Sequence, residues 1–233
     1  MKAMIFAAGL GRRLRPITER KPKALVEVGG RPLLAVVLER LVEAGVTSVV
    51  INLHHLGEQI EAWMERHRPP GVAVRFSREK ELLDTGGGLK AAAAFLRGNE
   101  PFFVHNVDVL SDIDLRAMYA AHCASGALAS LAAKPRETNR PLLFDGAGRL
   151  CGRRTPQGDV LVRDPANGTV TPLGFCGIHV VSPRLLDLLS ETGAFSIVSS
   201  YLRLAGAGEV IRAHRVDGCR WRDAGRPEDL RPL

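Results

Sequence analysis

The feature that most constrains the fold is a regular alternation of apolar and amphipathic runs through the first 135 residues. Short apolar runs predict strands, and longer runs with apolar residues three and four positions apart predict helices. The predicted strands are residues 3–6, 48–53, 72–76, 102–106 and 127–132, and the predicted helices are residues 32–44, 56–67, 88–96 and 114–124. Such alternation indicates an α/β fold with a doubly wound, mostly parallel sheet flanked by helices.

After Pro135 the pattern changes to short segments separated by Gly and Pro. Residues 145–148 lie between two apolar stretches and predict a hairpin within a small β insertion. Strands are predicted again at 177–181 and 209–216, and helices at 183–189 and 196–204. With 45% hydrophobic residues the chain can bury one sizeable core, so we predict a single domain over residues 1–233 with halves 1–135 and 136–233.

Composition argues against several functional classes. The formal net charge of +7 comes mostly from scattered arginines, and aromatic residues form only 5% of the chain, which does not favour a nucleic-acid partner. No apolar run reaches the roughly 18 residues of a membrane span, and no secretory pattern opens the chain, so we expect a soluble, cytoplasmic protein without a membrane partner. The four cysteines lie far apart, which predicts buried or free thiols and not disulfides.

A glycine-rich, cationic loop follows the first predicted strand. Gly9 and Gly11 let the backbone approach a ligand with its N–H groups, and Arg13, Arg15 and Lys23 supply positive charge. Because Leu14 replaces a glycine and Pro16 interrupts the chain, neither a dinucleotide fingerprint nor a P-loop fits. The loop predicts a phosphate site, with an ordinary turn carrying solvated arginines as the alternative.

Two carboxylates follow predicted strands in distant parts of the chain. Asp108 comes after the apolar run that ends at Asn106, and ligands gather at the carboxyl ends of parallel strands. Asp223 comes after Trp221 and before a helix that Pro227 opens. Two hard oxygen donors suit Mg²⁺, while a capping role is the alternative for each. Asp112 and Asp114 are expected to cap the next helix.

Three consecutive glycines, residues 86–88, open the predicted helix after Asp84 and Thr85. Such a run is unfavourable in a helix unless something must approach the backbone, with a flexible turn as the alternative. His54 and His55 are adjacent on a strand and face opposite ways, which makes a shared metal ion difficult. We expect these two histidines to be structural or surface groups.

In their order along the chain these motifs resemble those of the sugar-phosphate nucleotidylyltransferases. The N-terminal loop matches the signature of that family at Gly9, Gly11, Arg13, Pro16, Lys23 and Leu25. The segments around Asp84–Gly88, Asp108 and Trp221–Gly225 match its later motifs, and the glycine triplet is closest to that of the N-acetylmuramic acid 1-phosphate uridylyltransferases and mannose-1-phosphate guanylyltransferases. Arg12, Val107 and Arg226 depart from the family pattern.

The resemblance implies a Rossmann-like sheet of the glycosyltransferase-A type, with a nucleotide-binding first half and a sugar-binding second half. It implies catalytic roles for Arg13, Lys23 and Asp108, and a Mg²⁺ ion on Asp108 and Asp223. It also implies a sugar contact at Gly177. The implied nucleotide contacts are Ala8, Gly9, Gly11, Arg12, Thr85, Gly86 and Asn106.

The implied reaction joins a nucleoside triphosphate, UTP or GTP, to a sugar 1-phosphate with release of pyrophosphate, in nucleotide-sugar synthesis for cell-envelope polysaccharide. Two alternatives stay open: a cytidylyltransferase acting on phosphocholine, and a catalytically silent homologue that binds a nucleotide sugar and regulates a partner. The sequence does not determine which base or which sugar the protein uses. It also leaves the oligomeric state open, and a homo-oligomer is one of the possibilities.

Overall fold

The computed structural model describes residues 1–231 of the chain. Its strands are β1 (Lys2–Phe6), β2 (Glu27–Val28), β3 (Arg31–Pro32), β4 (Ser48–Leu53), β5 (Ala73–Arg78), β6 (Phe102–Asn106), β7 (Val109–Ser111), β8 (Ala129–Lys134), β9 (Leu142–Asp145), β10 (Leu150–Thr155), β11 (Gly158–Leu161), β12 (Val170–Val181), β13 (Ile211–Arg215) and β14 (Trp221–Asp223). Its α-helices are α1 (Leu33–Glu43), α2 (Gly57–His67), α3 (Asp84–Ala91), α4 (Ala93–Leu96), α5 (Leu115–Ser125), α6 (Leu185–Leu188) and α7 (Ile197–Gly206).

The central sheet has ten strands, and its main path runs β11-β10-β9-β12-β6-β1-β4-β5. Strands β6, β1, β4 and β5 are parallel, as the alternation predicts. The long strand β12 runs antiparallel to β6, β8 and β9 and therefore joins the parallel part to the hairpin strands β9, β10 and β11. The sheet is mixed, and the predicted α/β class with a β insertion is confirmed.

Both faces of the sheet are buried at its centre. Ala3 and Ile5 of β1 pack into one hydrophobic cluster together with α1 and α2, whereas Met4 packs into a second cluster together with α7. Successive side chains of a strand point to opposite faces, so an unbroken apolar strand requires helices on both sides. Within residues 1–231, no helix combines the length and the hydropathy that crossing a bilayer demands.

The structure corrects some predicted bounds. The predicted helix 88–96 starts earlier, at Asp84, and is divided at Ala92 into α3 and α4. The strand predicted at 177–181 begins at Val170, because its first half pairs with β9. The hairpin at 145–148 is present between β9 and β10.

A separate two-stranded sheet lies beside the main one. It pairs β7, which begins directly after Asp108, with β14, which ends at Asp223. Asp223 is opposite Val109 in this antiparallel register, and the Ala224 N–H donates to the Asp108 carbonyl at 2.8 Å. The small sheet therefore brings the two predicted carboxylates together from positions more than a hundred residues apart.

Candidate active site

A cavity of about 450 Å³ lies at the carboxyl ends of β1 and β6. Parallel strands end together at this edge, which is where α/β sheets place their ligands. The residues that line it are Phe6, Ala7, Ala8, Gly9, Lys23, Asn52, Glu79, Leu82, Asp84, Thr85, Asn106, Val107, Asp108 and Ala194.

A buried amide holds the start of the glycine-rich loop. Asn52, at the end of β4, accepts hydrogen bonds through Oδ1 from the N–H groups of Ala7 at 2.7 Å and Ala8 at 3.4 Å. Its Nδ2 donates to Oε1 of the buried Glu79 at 2.7 Å, and Oε2 of Glu79 accepts from the Leu83 N–H at 3.0 Å. This network connects the loop to the start of α3 across the cavity.

The rest of the loop is held by Thr18. Its hydroxyl donates to the Gly11 carbonyl at 2.9 Å, and a Cβ on Gly11, where φ is +60°, would lie 2.7 Å from the Thr18 methyl group. His55 Nε2 lies 3.1 Å from the Thr18 carbonyl, and His54 Nδ1 lies 3.0 Å from the Glu79 carbonyl. Both histidines therefore have a structural role, holding backbone in place.

The glycine triplet allows close packing around α3. A Cβ on Gly88 would lie 2.8 Å from Glu79 Oε1 and 2.9 Å from Asn52 Nδ2, so this glycine makes room for the buried network. A Cβ on Gly86 would lie 2.3 Å from the Phe195 ring. The Gly86 N–H donates to the Phe195 carbonyl at 2.8 Å, and the Thr85 hydroxyl accepts from the Ile197 N–H at 3.0 Å.

Lys23 and Asp108 form an ion pair at the floor of the cavity. Both side chains are largely buried, with 11% and 18% of their surfaces exposed. Pro22 precedes the short 3-10 turn that carries Lys23, and Asp108 directly follows Val107, whose N–H donates to the Phe6 carbonyl. Lys23, at the C-terminal end of the glycine-rich loop, therefore contacts a carboxylate that follows the end of β6.

Asp223 adds a second carboxylate beside this pair. Its Oδ2 lies 3.5 Å from Nη2 of Arg13, and its buried Oδ1 has no hydrogen-bond partner among the described residues. A Cβ on Gly225 would lie 2.3 Å from that Arg13 nitrogen and 2.6 Å from Asp223 Oδ1. Gly225 thus leaves space for the arginine to approach the carboxylate.

Burial raises the pKa of Asp223 above its ordinary value, and the negative charge of Asp108 raises it further, against the opposing effects of Lys23 and Arg13. Two neighbouring carboxylates, one with an unpartnered buried oxygen, are a donor set that suits a divalent cation. No group of three or more His, Cys, Asp or Glu side chains in residues 1–231 could hold a metal. A pair of carboxylates is still sufficient for Mg²⁺, because this ion keeps several of its waters and takes further ligands from substrate phosphates.

Six of the predicted site residues line the cavity: Ala8, Gly9, Lys23, Thr85, Asn106 and Asp108. Arg13 and Asp223 lie next to it as an ion pair, and Arg12 is exposed. Gly11 and Gly86 are in the surrounding loop and helix. Gly177, with φ of +73°, packs against Asn106, because a Cβ there would lie 2.7 Å from Asn106 Nδ2.

Sequence reasoning missed Asn52 and Glu79, and it named Gly225 only as part of the Trp221–Gly225 motif. Asn52 is a polar residue near the end of an apolar strand, a signal that could have been read, whereas Glu79 stands in a charged stretch without any distinguishing pattern. Asp114 caps α5 through the Ala117 N–H at 2.9 Å, as expected. Asp112 does not cap it: this carboxylate accepts from the backbone and guanidinium of Arg220 instead.

Comparison with known proteins places these features in a wider context. A model of the nucleotidyl transferase family matches residues 2–142. N-acetylmuramate alpha-1-phosphate uridylyltransferase of Caulobacter vibrioides is 36% identical over 218 residues, covering 89% of this chain and 86% of the relative. Mannose-1-phosphate guanyltransferase of Candida albicans is 31% identical over 233 residues, covering 99% of this chain and 62% of the relative.

Among solved structures, UDP-glucose pyrophosphorylase in complex with UDP-glucose has a similar fold, with a TM-score of 0.80 and 21% identity over 98% of this chain and 95% of that one.

Proposed function

Because the chain belongs to the nucleotidyl transferase family, we propose that it joins a nucleoside triphosphate, UTP or GTP, to a sugar 1-phosphate and releases pyrophosphate. It is an enzyme of the sugar-1-phosphate nucleotidyltransferase class (EC 2.7.7), like its homologues. The nucleotide would occupy the cavity between the glycine-rich loop and α3.

The observation that carries the proposal is the arrangement around Asp108. A cationic glycine-rich loop, the Lys23–Asp108 ion pair and the Arg13–Asp223 ion pair meet at one sheet edge. Such a set can bind and neutralise several phosphate groups at once. A homologue that only binds would have no need of two carboxylates beside the phosphate loop.

The acceptor needs little activation by the protein. The second pKa of a phosphate monoester is about 6, so a sugar 1-phosphate is already an anion at neutral pH and needs no general base. Its oxygen forms a bond to the α-phosphorus in line, and the bond from that phosphorus to the pyrophosphate oxygen breaks. The lining of the described cavity contains no Ser, Cys or His, and direct displacement requires none.

The residues of the chain act by positioning and by charge. Backbone N–H groups of the loop from Gly9 onward hold the triphosphate, while Asn52 fixes the start of the loop by accepting from Ala7 and Ala8. Lys23 neutralises phosphate charge near the reacting centre, and Arg13 stabilises the departing pyrophosphate. Asp108 and Asp223 would hold Mg²⁺, which when bound draws the two anionic substrates together and polarises the α-phosphate.

The test is pyrophosphate release by the purified protein with Mg²⁺, using each nucleoside triphosphate with a panel of hexose 1-phosphates and phosphocholine. Asp108→Asn and Asp223→Asn should each lower the rate by about 100-fold or more, an effect within the range of lost charge stabilisation at a reacting centre. Asp114→Asn is the matched control, since Asn is an equally good N-cap and the site is untouched.

If pyrophosphate is released only with cytidine triphosphate and phosphocholine, the acceptor is an alcohol phosphate and not a sugar 1-phosphate. Tight nucleotide-sugar binding without release for any pair would instead identify a silent regulatory homologue, and the proposal would be wrong.

We also propose that the protein acts in the cytoplasm, the compartment that supplies nucleoside triphosphates, and that its product serves cell-envelope polysaccharide synthesis. The muramate substrate in the name of the Caulobacter vibrioides relative supports the second point. Depletion of the protein should lower the cellular pool of one nucleotide sugar, which mass spectrometry of cytoplasmic extracts would detect; an unchanged pool would contradict both statements.

A further inference from the structure

A second cavity, of about 740 Å³, opens beside the first and is strongly cationic. Four arginines line it: Arg136, Arg140, Arg153 and Arg154. Among its described lining residues there is no Asp, Glu or Lys. Positive charges gathered on one concave surface raise the local concentration of anions.

The charge of this cavity is only partly compensated. Arg154 forms two hydrogen bonds with the Asp159 carboxylate, at 2.7 and 3.0 Å. Arg136 donates to the Phe175 carbonyl at 2.8 Å and stacks 4.5 Å over the Trp221 ring, and its buried Nε has no partner within residues 1–231. Arg140 and Arg153 are exposed, and neither forms a salt bridge with a described acidic residue.

The two cavities are lined by neighbouring residues of the same chain segments. On β12, Gly177 packs against Asn106 of the first cavity, and Phe175 lines the second, two residues or roughly 7 Å away along the strand. In the segment before α7, Ala194 lines the first cavity and Ser196 the second. An acceptor whose phosphate is near Lys23 could therefore extend its sugar ring past Gly177 toward the arginines.

We propose that this second cavity binds an anionic substituent on the acceptor sugar, a carboxylate or a second phosphate, through Arg140 and Arg153. This inference rests on the proposed function. Guanidinium groups bind either anion with two parallel N–H···O bonds. The names of the relatives given above specify the 1-phosphate of N-acetylmuramate, a sugar acid, or of mannose, a neutral sugar, and the charge of the cavity favours the sugar that carries an additional charge.

The experiment compares kcat/KM for acceptors that differ in one anionic group, at saturating nucleoside triphosphate. The matched sets are N-acetylmuramic acid 1-phosphate with N-acetylglucosamine 1-phosphate, and glucuronic acid 1-phosphate and glucose 1,6-bisphosphate with glucose 1-phosphate. One anionic member should exceed its neutral counterpart by about 10-fold or more, as expected for a charged hydrogen bond. The identity of that member distinguishes a carboxylate from a phosphate.

Arg140→Gln and Arg153→Gln should each reduce this preference by about fivefold while leaving the neutral acceptor nearly unchanged. Arg154→Gln is the control within the same cavity, because Asp159 already neutralises this arginine, and it should change the preference by less than about twofold. Exposed arginines can be replaced without disturbing the core.

Wild-type protein that uses neutral acceptors as well as or better than anionic ones would overturn the inference, as would Arg140 and Arg153 variants with an unchanged preference. Equal losses in all three variants would indicate a general field in place of direct contact, and would also overturn it. These outcomes differ from failure of the proposed function, in which no acceptor, charged or neutral, releases pyrophosphate.

Discussion

The buried pair Asn52 and Glu79 allows a sharp test, because their hydrogen-bond roles can be exchanged. Asn52 Oδ1 must accept, since it faces the Ala7 N–H, so its Nδ2 must donate to Glu79. In Asn52→Asp, two carboxyl oxygens would face each other where Nδ2 and Oε1 are now 2.7 Å apart. In Glu79→Gln, a new NH₂ group would face a donor, either Asn52 Nδ2 or the Leu83 N–H.

The double variant restores every partner. The aspartate introduced at position 52 would accept from Ala7 and from the NH₂ group of the glutamine introduced at position 79, and the oxygen of that glutamine would accept from Leu83. Each single change should lower the free energy of unfolding by about 2–3 kcal/mol, the value of a hydrogen bond to a charged group together with an unsatisfied buried partner. Additivity would predict a loss of about 4–6 kcal/mol for the double variant, whereas we expect no more than about 2 kcal/mol, a coupling of at least about 2 kcal/mol.

Urea unfolding measures this cycle, provided that the m-values stay constant. The KM for the nucleoside triphosphate should follow the same pattern, rising in each single variant and returning toward the wild-type value in the double variant, because the network holds the glycine-rich loop. A coupling below about 0.5 kcal/mol would refute the reasoning, since independent sites add within that margin.

Three further predictions follow, two for the site and its supports and one for a buried histidine of α5. Gly225→Ala would force the Arg13 guanidinium away from Asp223. Because the end of a flexible side chain can move, we expect a stability loss below about 1 kcal/mol but a fall in kcat of about 10-fold. Gly146→Ala is the control, since a Cβ at Gly146 would meet open space. Trp221→Phe removes the indole N–H that donates to the buried Cys176 carbonyl at 2.8 Å, which should lower stability by about 1–2 kcal/mol and lower kcat more than it changes KM; equal stability in urea would contradict this. Burial lowers the pKa of His122 from 6.5 to about 4, so the unfolded chain binds more protons in that window and stability is lost as pH falls through it; urea midpoints from pH 7 to pH 4 should fall less steeply in His122→Gln, and parallel curves would contradict the assignment.

Sequence patterns predicted those parts of the fold that local rules determine. Strand β6 ends where its apolar run ends, and the rule that ligands gather at carboxyl ends then places Asp108 at the cavity. The start of α3 was missed because glycine has low helix propensity. What stabilises the helix there is tertiary: the Gly86 N–H bonds to Phe195, a residue far along the chain that no local pattern connects to it.

The site residues divide in the same way. Gly9 and Lys23 were predicted because a glycine-rich cationic loop after a strand is a local signal. The Arg13–Asp223 pair and the fit of Gly225 around it depend on how distant segments meet, so only the complete fold reveals them. The position of Glu79 also depends on distant segments. A carboxylate in a charged stretch predicts an exposed side chain, yet the structure buries this one against Asn52.

The register between β7 and β14 determines whether a two-carboxylate site exists at all. Asp223 is opposite Val109, the residue after Asp108, and a slip by one residue would place Arg222 there instead. Successive side chains of a strand point to opposite faces, so such a slip would also turn Asp223 away. A pairing of three residues a side is too short to specify its own register by hydrogen bonds alone.

Side-chain contacts at the far end of β14 supply the missing specificity. Asp112 accepts from the backbone N–H and the guanidinium of Arg220, both at 2.8 Å, and Trp221 donates to Cys176 on β12. Each contact fixes a residue at this end of the strand against a different segment, and together they leave one register. Asp112, expected from sequence to be a helix cap, therefore helps to determine where Asp223 lies, although it is not among the residues that line the cavity.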